Sequence, residues 1–156
     1  MAPDTRFDDD AVARLRRSIT RLARLLNEAA SHEGLSPTQA SVLALAAWRG
    51  PLGLAELAEI EGLNATMLSR IVGKLDSEGL LRRRPNPADQ RAALVEGTAR
   101  GREVSLRIRA RRTEAVTKIL AGLSPEVATT LLAALPALEA LADAGARTGG
   151  SSQRNG

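Results

Sequence analysis

The stretch that most constrains the fold is LAELAEIEGLNATMLSRIVGKL, at residues 54–75. Its apolar positions recur at helical spacing in two groups: Leu54, Leu57 and Ala58, then Leu68, Ile71, Val72 and Leu75. Gly62 predicts a tight turn between two helices, and Asn64 predicts the N-cap of the second. Two short helices joined by a glycine turn are typical of a helix-turn-helix, whose second helix enters the major groove of DNA. Hairpins of similar spacing also occur in ordinary helical bundles, so the surrounding sequence must distinguish the two.

The run RRRPNPADQRAALVEGT, at residues 82–98, follows directly. Its two prolines exclude a helix or a central strand, because proline has a fixed φ and no N–H. We expect AALVE, the only strand-like stretch, to pair with LLRRR across the loop PNPADQR. A basic hairpin beside a recognition helix is a wing, which can place an arginine in the minor groove. Arg82, Arg83 and Arg84 would meet phosphates along the strand, and Asp89 would orient Arg91 through a charge-assisted hydrogen bond.

Long helices are predicted on both sides of this region. An apolar stripe of Val12, Leu15, Ile19, Leu22 and Leu26 marks an amphipathic first helix. Ser36, Pro37 and Gln39 predict a capping box for a second helix that ends near Trp48. Thr98 is expected to cap a fifth helix, and Ser124 to begin a sixth. The Gly/Ser-rich end of the chain predicts disorder.

Charge and composition favour duplex DNA as the partner. The net charge is +4, but residues 82–112 hold ten arginines against three acidic residues, a net +7. Such asymmetry suggests a polyanion, with nucleic acid ahead of an anionic membrane surface. The only aromatic residues are Phe7 and Trp48, whereas readers of single strands usually stack bases on aromatic side chains.

The same composition excludes several classes of protein. Without cysteine there are no disulfides, thiolate metal sites or thiol nucleophiles. No apolar run approaches the roughly 18 residues of a membrane helix, and the acidic start is unlike a secretory signal. We therefore expect a soluble, cytoplasmic protein that does not bind membranes. No nucleophile–base pair, metal set or phosphate-binding glycine loop indicates an enzyme, and no cofactor is implied. For His32 a solvated or packing role is expected, and Glu56, Glu59 and Glu61 predict a solvated face.

Across residues 8–143 the order of these elements resembles the MarR family of winged helix-turn-helix transcription regulators. The residues that carry the resemblance are NATMLSRIVGKLDSEGL for the recognition helix, Asp89 and Arg91 at the wing tip, and Thr98 and Gly101 after it. The resemblance implies a mainly α fold with a small β-hairpin wing and long terminal helices that interlock two subunits. The DNA-binding residues that the resemblance implies are Thr66, Met67, Ser69, Arg70, Lys74, Asp89 and Arg91. We add Asn64, the N-cap of the recognition helix, and Arg84 on the strand of the wing.

Two positions depart from the family pattern. Gln90 stands where many members carry a second arginine, which removes one phosphate contact. Gly97 stands where a leucine is usual, so we expect the second strand of the hairpin to end early or to be looser.

These observations predict one domain at residues 1–143. Its parts are dimerisation helices at 8–31 and 98–143, a DNA-binding lobe at 36–97, the helix-turn-helix at 54–79, the wing at 81–97, and a disordered tail at 144–156. The function predicted is a homodimeric, sequence-specific bacterial DNA-binding regulator, a repressor relieved by a small aromatic or anionic effector. The alternative is a dimeric winged-helix interaction module without specific DNA binding.

Overall fold

The computed structural model describes residues 7–151, which form six helices and a small antiparallel sheet of three strands. In chain order the elements are α1 (Asp9–Ser31), α2 (Pro37–Arg49), β1 (Leu52–Gly53), α3 (Leu54–Glu61), α4 (Ala65–Ser77), β2 (Leu81–Asn86), β3 (Asp89–Gly97), α5 (Ala99–Ala121) and α6 (Pro125–Ser151). The predicted fold class, mainly α with a small β-hairpin, is confirmed. The predicted helix-turn-helix corresponds to α3 and α4, and the hairpin β2–β3 is called the wing below.

The hydrophobic core lies where α2, α3, α4 and the start of α5 meet the sheet. Its large, fully buried side chains are Leu43, Leu57, Leu68, Leu75, Leu81, Val42, Val72 and Val95. The four apolar positions predicted for the inner face of α4, Leu68, Ile71, Val72 and Leu75, are all buried. Because this face is fixed against the core, the opposite face of α4 is held toward solvent.

The helices begin where the capping residues predict. Ser36 and Gln39 form the reciprocal capping box of α2, with N···O distances of 2.9 and 3.2 Å. The Asn64 side chain accepts a hydrogen bond from the Met67 N–H at 2.7 Å, which caps α4. Each bond satisfies a backbone N–H that has no partner within its own helix. These starts are therefore fixed by residues within three positions of one another.

The sheet has the order β1-β3-β2, and the pairing of AALVE with LLRRR is confirmed. The predicted seven-residue loop is wrong, however, because β2 reaches Asn86 and β3 begins at Asp89. Only Pro87 and Ala88 separate the strands. Pro85 is tolerated because β2 is an edge strand and the pairing register shifts after it. Strand β1, which pairs Leu52 with Val95, was not predicted, because two residues carry no readable periodicity.

The expectation that β3 ends early at Gly97 is also wrong. Gly97 is buried, pairs with Leu81 and is the last residue of the strand. A Cβ atom at this position would lie 2.7 Å from the Cα and 2.9 Å from the Cβ of Ala47 in α2. Strand and helix approach each other so closely that only glycine fits without a backbone shift.

The C-terminal helix is longer than predicted. Disorder was expected over residues 144–156, but α6 continues to Ser151, so this expectation is wrong for residues 144–151. The remainder, 152–156, lies outside the described residues. Helix propagation adds one hydrogen bond per residue, and the alanines of the ALADAGA stretch favour it despite one glycine.

The α6 helix also corrects the hydropathy analysis. Residues 125–145 are long and apolar enough to cross a membrane by length and composition alone, and none of that window is buried within the chain. No uninterrupted apolar run is present, but an 18-residue window of this segment has a mean hydropathy of 1.4, because its few charges are spread along it. A long, apolar and uncovered helix therefore has to be explained.

The C-terminal half of α1 and the loop after it lie against α5. The Arg107 guanidinium donates hydrogen bonds to both Glu33 carboxylate oxygens, at 2.9 to 3.3 Å, and Arg112 donates to the carbonyl oxygen of Leu26 at 3.2 Å. The hydrogen bond from Arg107 lowers the pKa of Glu33 below its usual 4.5, although partial burial opposes the shift. Residues 9–24, by contrast, are mostly exposed.

Thr98 joins the DNA-facing elements to α5. Its hydroxyl donates to the Gly79 carbonyl at 2.7 Å and accepts from the Gly101 N–H at 2.9 Å. Its own N–H donates to the Leu80 carbonyl at 3.0 Å. A Cβ on Gly101 would collide with that carbonyl oxygen and lie 2.8 Å from its carbon. The first turn of α5 therefore packs directly against the chain that leaves α4.

We predict that Gly101→Ala destabilises the fold by about 1–3 kcal/mol, because the added methyl group overlaps backbone rather than a movable side chain. Urea unfolding measures the effect. Gly145→Ala is the matched control, because a Cβ on Gly145 meets nothing within 4 Å. Equal stability of the two variants would contradict the close packing of α5 on Leu80.

Candidate nucleic-acid interface

The outward face of α4 carries the residues predicted for the recognition helix. Thr66, Met67, Ser69, Arg70 and Lys74 are all exposed, on the side opposite the buried apolar face. The Lys74 ammonium lies 3.9 Å from the Glu78 carboxylate, an exposed pair that water and salt screen. Within the described residues, the Arg70 guanidinium has no ion-pair partner. The helix thus presents two cations, two hydroxyls and a thioether to solvent.

Asn64, which was predicted to bind DNA, caps α4 in the structure. Its side-chain oxygen is occupied by the cap of α4, so only the amide NH₂ remains to donate to a ligand. The cap also fixes the first turn, from which Thr66 and Met67 project. We therefore assign Asn64 to helix initiation, with at most one donor group available outside it.

A groove of about 450 Å³ adds residues that sequence analysis missed. It lies between the N-terminus of α2 and α4, and its lining comprises Ser36, Thr38, Gln39, Met67, Arg70, Ile71 and Lys74. Among the residues of this lining that were not predicted, Thr38 has a hydroxyl group that takes no part in the capping box. The capping box marked this helix start, but only tertiary packing places it beside Arg70 and Lys74. Free N–H groups at a helix N-terminus favour negative charge, as the two cations do.

The wing tip is held by two local hydrogen bonds. The Asn86 side chain accepts from the Ala88 N–H at 3.0 Å, which closes the turn. The Asp89 carboxylate accepts from the backbone N–H of Arg91 at 2.9 Å. The hydrogen bond between Asp89 and Arg91 is thus made to the backbone of Arg91. Asp89 shapes the backbone that carries Arg91, and within the described residues that guanidinium has no ion-pair partner.

The three strand arginines are not equivalent to Arg91. Arg82 and Arg84 both donate to Glu96 on β3, the latter at 3.1 Å. Arg83 points to the other face of the strand, where its Nε lies 3.9 Å from the Asp76 carboxylate at the end of α4. The predicted phosphate contact of Arg84 therefore has to compete with a carboxylate inside the wing.

Glu96 remains ionised in this arrangement. Its side chain is only 12% exposed, and the loss of solvent raises its pKa, but hydrogen bonds from Arg82 and Arg84 and their positive charges outweigh that effect. The net result is a pKa below the usual 4.5. Glu96 thus neutralises part of the charge that the arginine run gives this strand.

His32 and the acidic residues of α3 have structural positions in the fold. His32 is the C-cap of α1, and its backbone N–H donates to the carbonyl of Glu28. Glu61 accepts a hydrogen bond from the Ser41 hydroxyl at 2.9 Å, which links α3 to α2. Across residues 7–151, no three His, Asp or Glu side chains meet in a group that could hold a metal ion.

A helix-turn-helix with an exposed cationic second helix, followed by a basic wing, defines the class of winged-helix DNA-binding transcription regulators. The MarR family model matches residues 35–93, which span α2, the helix-turn-helix and most of the wing. The chain belongs to the MarR family. Its regulators bind DNA, act as dimers and are not enzymes.

Three relatives illustrate the likeness. The Bacillus subtilis protein YkoM, an uncharacterised HTH-type transcriptional regulator, is 26% identical over 136 residues, which cover 83% of this chain and 88% of YkoM. A probable transcriptional regulator from Pseudomonas aeruginosa is 32% identical, with a TM-score of 0.63 over 85% of this chain and 99% of its own. Wild-type apo MarR from E. coli shares the fold at 24% identity, with a TM-score of 0.68 over 81% and 95% of the two chains.

Proposed function

We propose that the protein is a homodimeric, sequence-specific DNA-binding transcription repressor of the bacterial cytoplasm, relieved by a small effector. The observation that carries the proposal is the outward face of α4, where Arg70 and Lys74 stand exposed beside the N-terminus of α2. A helix of this kind fits the major groove, where arginine can donate two hydrogen bonds to guanine and lysine can attract phosphate.

In this proposal the wing contacts the minor groove through Arg91. Its guanidinium is unpaired within the described residues, and the turn that carries it is closed by Asn86 and Asp89. A narrow minor groove has a strongly negative potential and attracts an inserted arginine. Gln90, next to it, offers an uncharged amide where many family members offer a second cation.

Dimerisation is proposed from the uncovered apolar surface of the terminal helices. The exposed large apolar residues of these helices are Val12, Leu15, Ile19 and Leu22 on α1, Leu106, Val116, Ile119 and Leu120 on α5, and Val127, Leu132, Leu135, Leu138 and Leu141 on α6. Monomeric proteins rarely expose so extended an apolar surface. A second copy of the chain would cover it, and the dimeric habit of the family favours that occupant over a membrane.

An effector site is proposed between α1 and α5. A cavity of about 430 Å³ there is lined by apolar Leu25 and Ile119, by the carboxylates of Glu28 and Glu114, and by two cations. Lys118 is paired with Glu114 at 2.7 Å, whereas Arg111 has no ion-pair partner among the described residues. This chemistry suits a small aromatic or anionic ligand. Because α5 begins at the Thr98 junction, a ligand here would bear on the helix that orients α4 and the wing.

The alternative of an interaction module without specific DNA binding loses one of its supports. It was suggested by Gln90, Gly97 and the acidic α3, but Gly97 completes the second strand of the wing. The DNA-binding experiments below separate the two functions, since such a module would show no saturable binding to duplex DNA.

We expect the protein to select a short operator from a random-sequence duplex pool and to lose affinity steeply with salt. The slope of log K against log salt should be about −0.9 per neutralised phosphate. Arg70→Ala should weaken binding by about 1–3 kcal/mol and relax one operator position. Lys74→Ala should weaken all duplexes about equally. Unchanged affinity in both variants would place the recognition surface elsewhere.

Arg91→Ala should reduce operator affinity more than Arg84→Ala, because Arg84 is held by Glu96 whereas Arg91 is unpaired. Two substitutions of Asp89 distinguish the effect of its negative charge from that of its hydrogen bond to Arg91. Asp89→Asn keeps the side-chain oxygen that accepts the Arg91 N–H and removes a negative charge, so it should bind DNA at least as tightly as the wild type. Asp89→Ala loses the acceptor and should bind less tightly than Asp89→Asn. Equal affinities of the two Asp89 variants in a fluorescence-anisotropy titration would contradict this role for the turn.

We expect a dimer by light scattering at micromolar concentration, and Ile19→Glu should shift it toward the monomer because the charge falls on the apolar stripe of α1. Thr20→Glu is the control. It makes the same change of charge at the next residue, which helical geometry turns about 100° away from the stripe. A monomeric wild type, or equal dissociation of both variants, would refute the interface.

A further inference from the structure

Gly73 lies inside α4, where glycine lowers helix stability relative to alanine. Its φ is not positive, so no left-handed conformation requires it. A Cβ placed on it meets nothing within 4 Å. Alanine would therefore fit and would stabilise the helix.

Four glycines in the helix-turn-helix, the wing and the start of α5 have a structural reason that Gly73 lacks. Gly62 and Gly79 have positive φ angles, of 63° and 73°, at the ends of α3 and α4. Gly97 and Gly101 lie against backbone atoms of Ala47 and Leu80. Gly145 in α6 also has nothing within 4 Å of an added Cβ, so what distinguishes Gly73 is its place on the outward face of α4.

The position of Gly73 on α4 indicates which partner it faces. It follows Arg70 by three residues and precedes Lys74, and it lies opposite the buried face that includes Leu68 and Leu75. Helical spacing aligns it with Thr66, Arg70 and Ser77 on the outermost line of α4. The same helix borders the cationic groove beside α2.

We propose that Gly73 is a point of van der Waals contact between α4 and the sugar–phosphate backbone of duplex DNA. An α-helix with its side chains is about 10–12 Å wide and the major groove about 12 Å, so groove walls and helix meet closely. A missing side chain at the wall lets the helix sit deeper, which brings the Arg70 guanidinium nearer to base edges. This inference rests on the proposed DNA-binding function and adds a residue that sets the depth of insertion.

The test compares the DNA affinity of Gly73→Ala with that of the wild type. Two DNA samples are used: a duplex that the wild-type protein selects from a random-sequence pool, and the unselected pool. The thermal midpoint of Gly73→Ala should rise by about 2–4 °C, because alanine favours the helix. Its affinity for both duplexes should fall about tenfold or more, because the methyl group overlaps the DNA backbone. Gly145→Ala is the matched control, expected to keep wild-type DNA affinity.

A second variant separates contact from simple charge. On an open surface Gly73→Lys would add a cation, tighten binding and steepen the salt slope by about 0.9. At a point of contact it should bind more weakly than wild type despite that charge. Wild-type or tighter binding by either Gly73 variant overturns the inference while leaving DNA binding intact. Failure of the wild type to bind either duplex overturns the proposed function and this inference with it.

Discussion

The geometry of the molecule depends on one hydroxyl group, that of Thr98. It donates to the carbonyl of Gly79, where the chain leaves α4, and accepts from the N–H of Gly101, where α5 begins. The wing starts and ends at the same place, since Leu81 pairs with Gly97. Recognition helix, wing and α5 are therefore joined within a few residues. Movement of α5 relative to this junction would be transmitted to both proposed DNA contacts.

The arginine run looks uniform in sequence but has divided roles in the structure. Arg82 and Arg84 share Glu96, and Arg83 faces Asp76 across the other side of the strand. Arg91 has no such partner among the described residues and lies at the start of β3, beside a turn in which side-chain oxygens accept backbone N–H groups. A net charge counted along the chain thus overstates what is available to phosphates. Glu96 and Asp76 offset part of the positive charge at the base of the wing, whereas the Arg91 guanidinium has no carboxylate partner among the described residues.

For the terminal helices, too, composition alone does not show which contacts a segment makes. Arg112 holds the C-terminal part of α1 to α5 and Arg107 holds the loop after it, whereas none of the apolar window of α6 is buried within the chain. Taken alone, α6 has the length and hydropathy of a membrane span. In the proposed dimer, a second copy of the chain covers this helix and the exposed apolar stripe of α1. Hydropathy reports how apolar a segment is and does not report which partner buries it.

The sequence by itself determined the elements that depend on neighbours in the chain. The caps at Ser36, Asn64 and Thr98 act over three residues, and the buried face of α4 follows from helical spacing, so both could be predicted. The exposed positions of Arg70 and Lys74 follow from the same spacing. That Asp89 pairs with Arg91 could be predicted from their spacing, but only the turn geometry decided that the backbone N–H of Arg91 is the donor. Only the tertiary structure decided the contacts between distant residues: Gly97 against Ala47, Gly101 against Leu80, Arg84 with Glu96, and Thr38 beside Arg70. Those contacts depend on how elements far apart in the chain pack, which no local periodicity encodes.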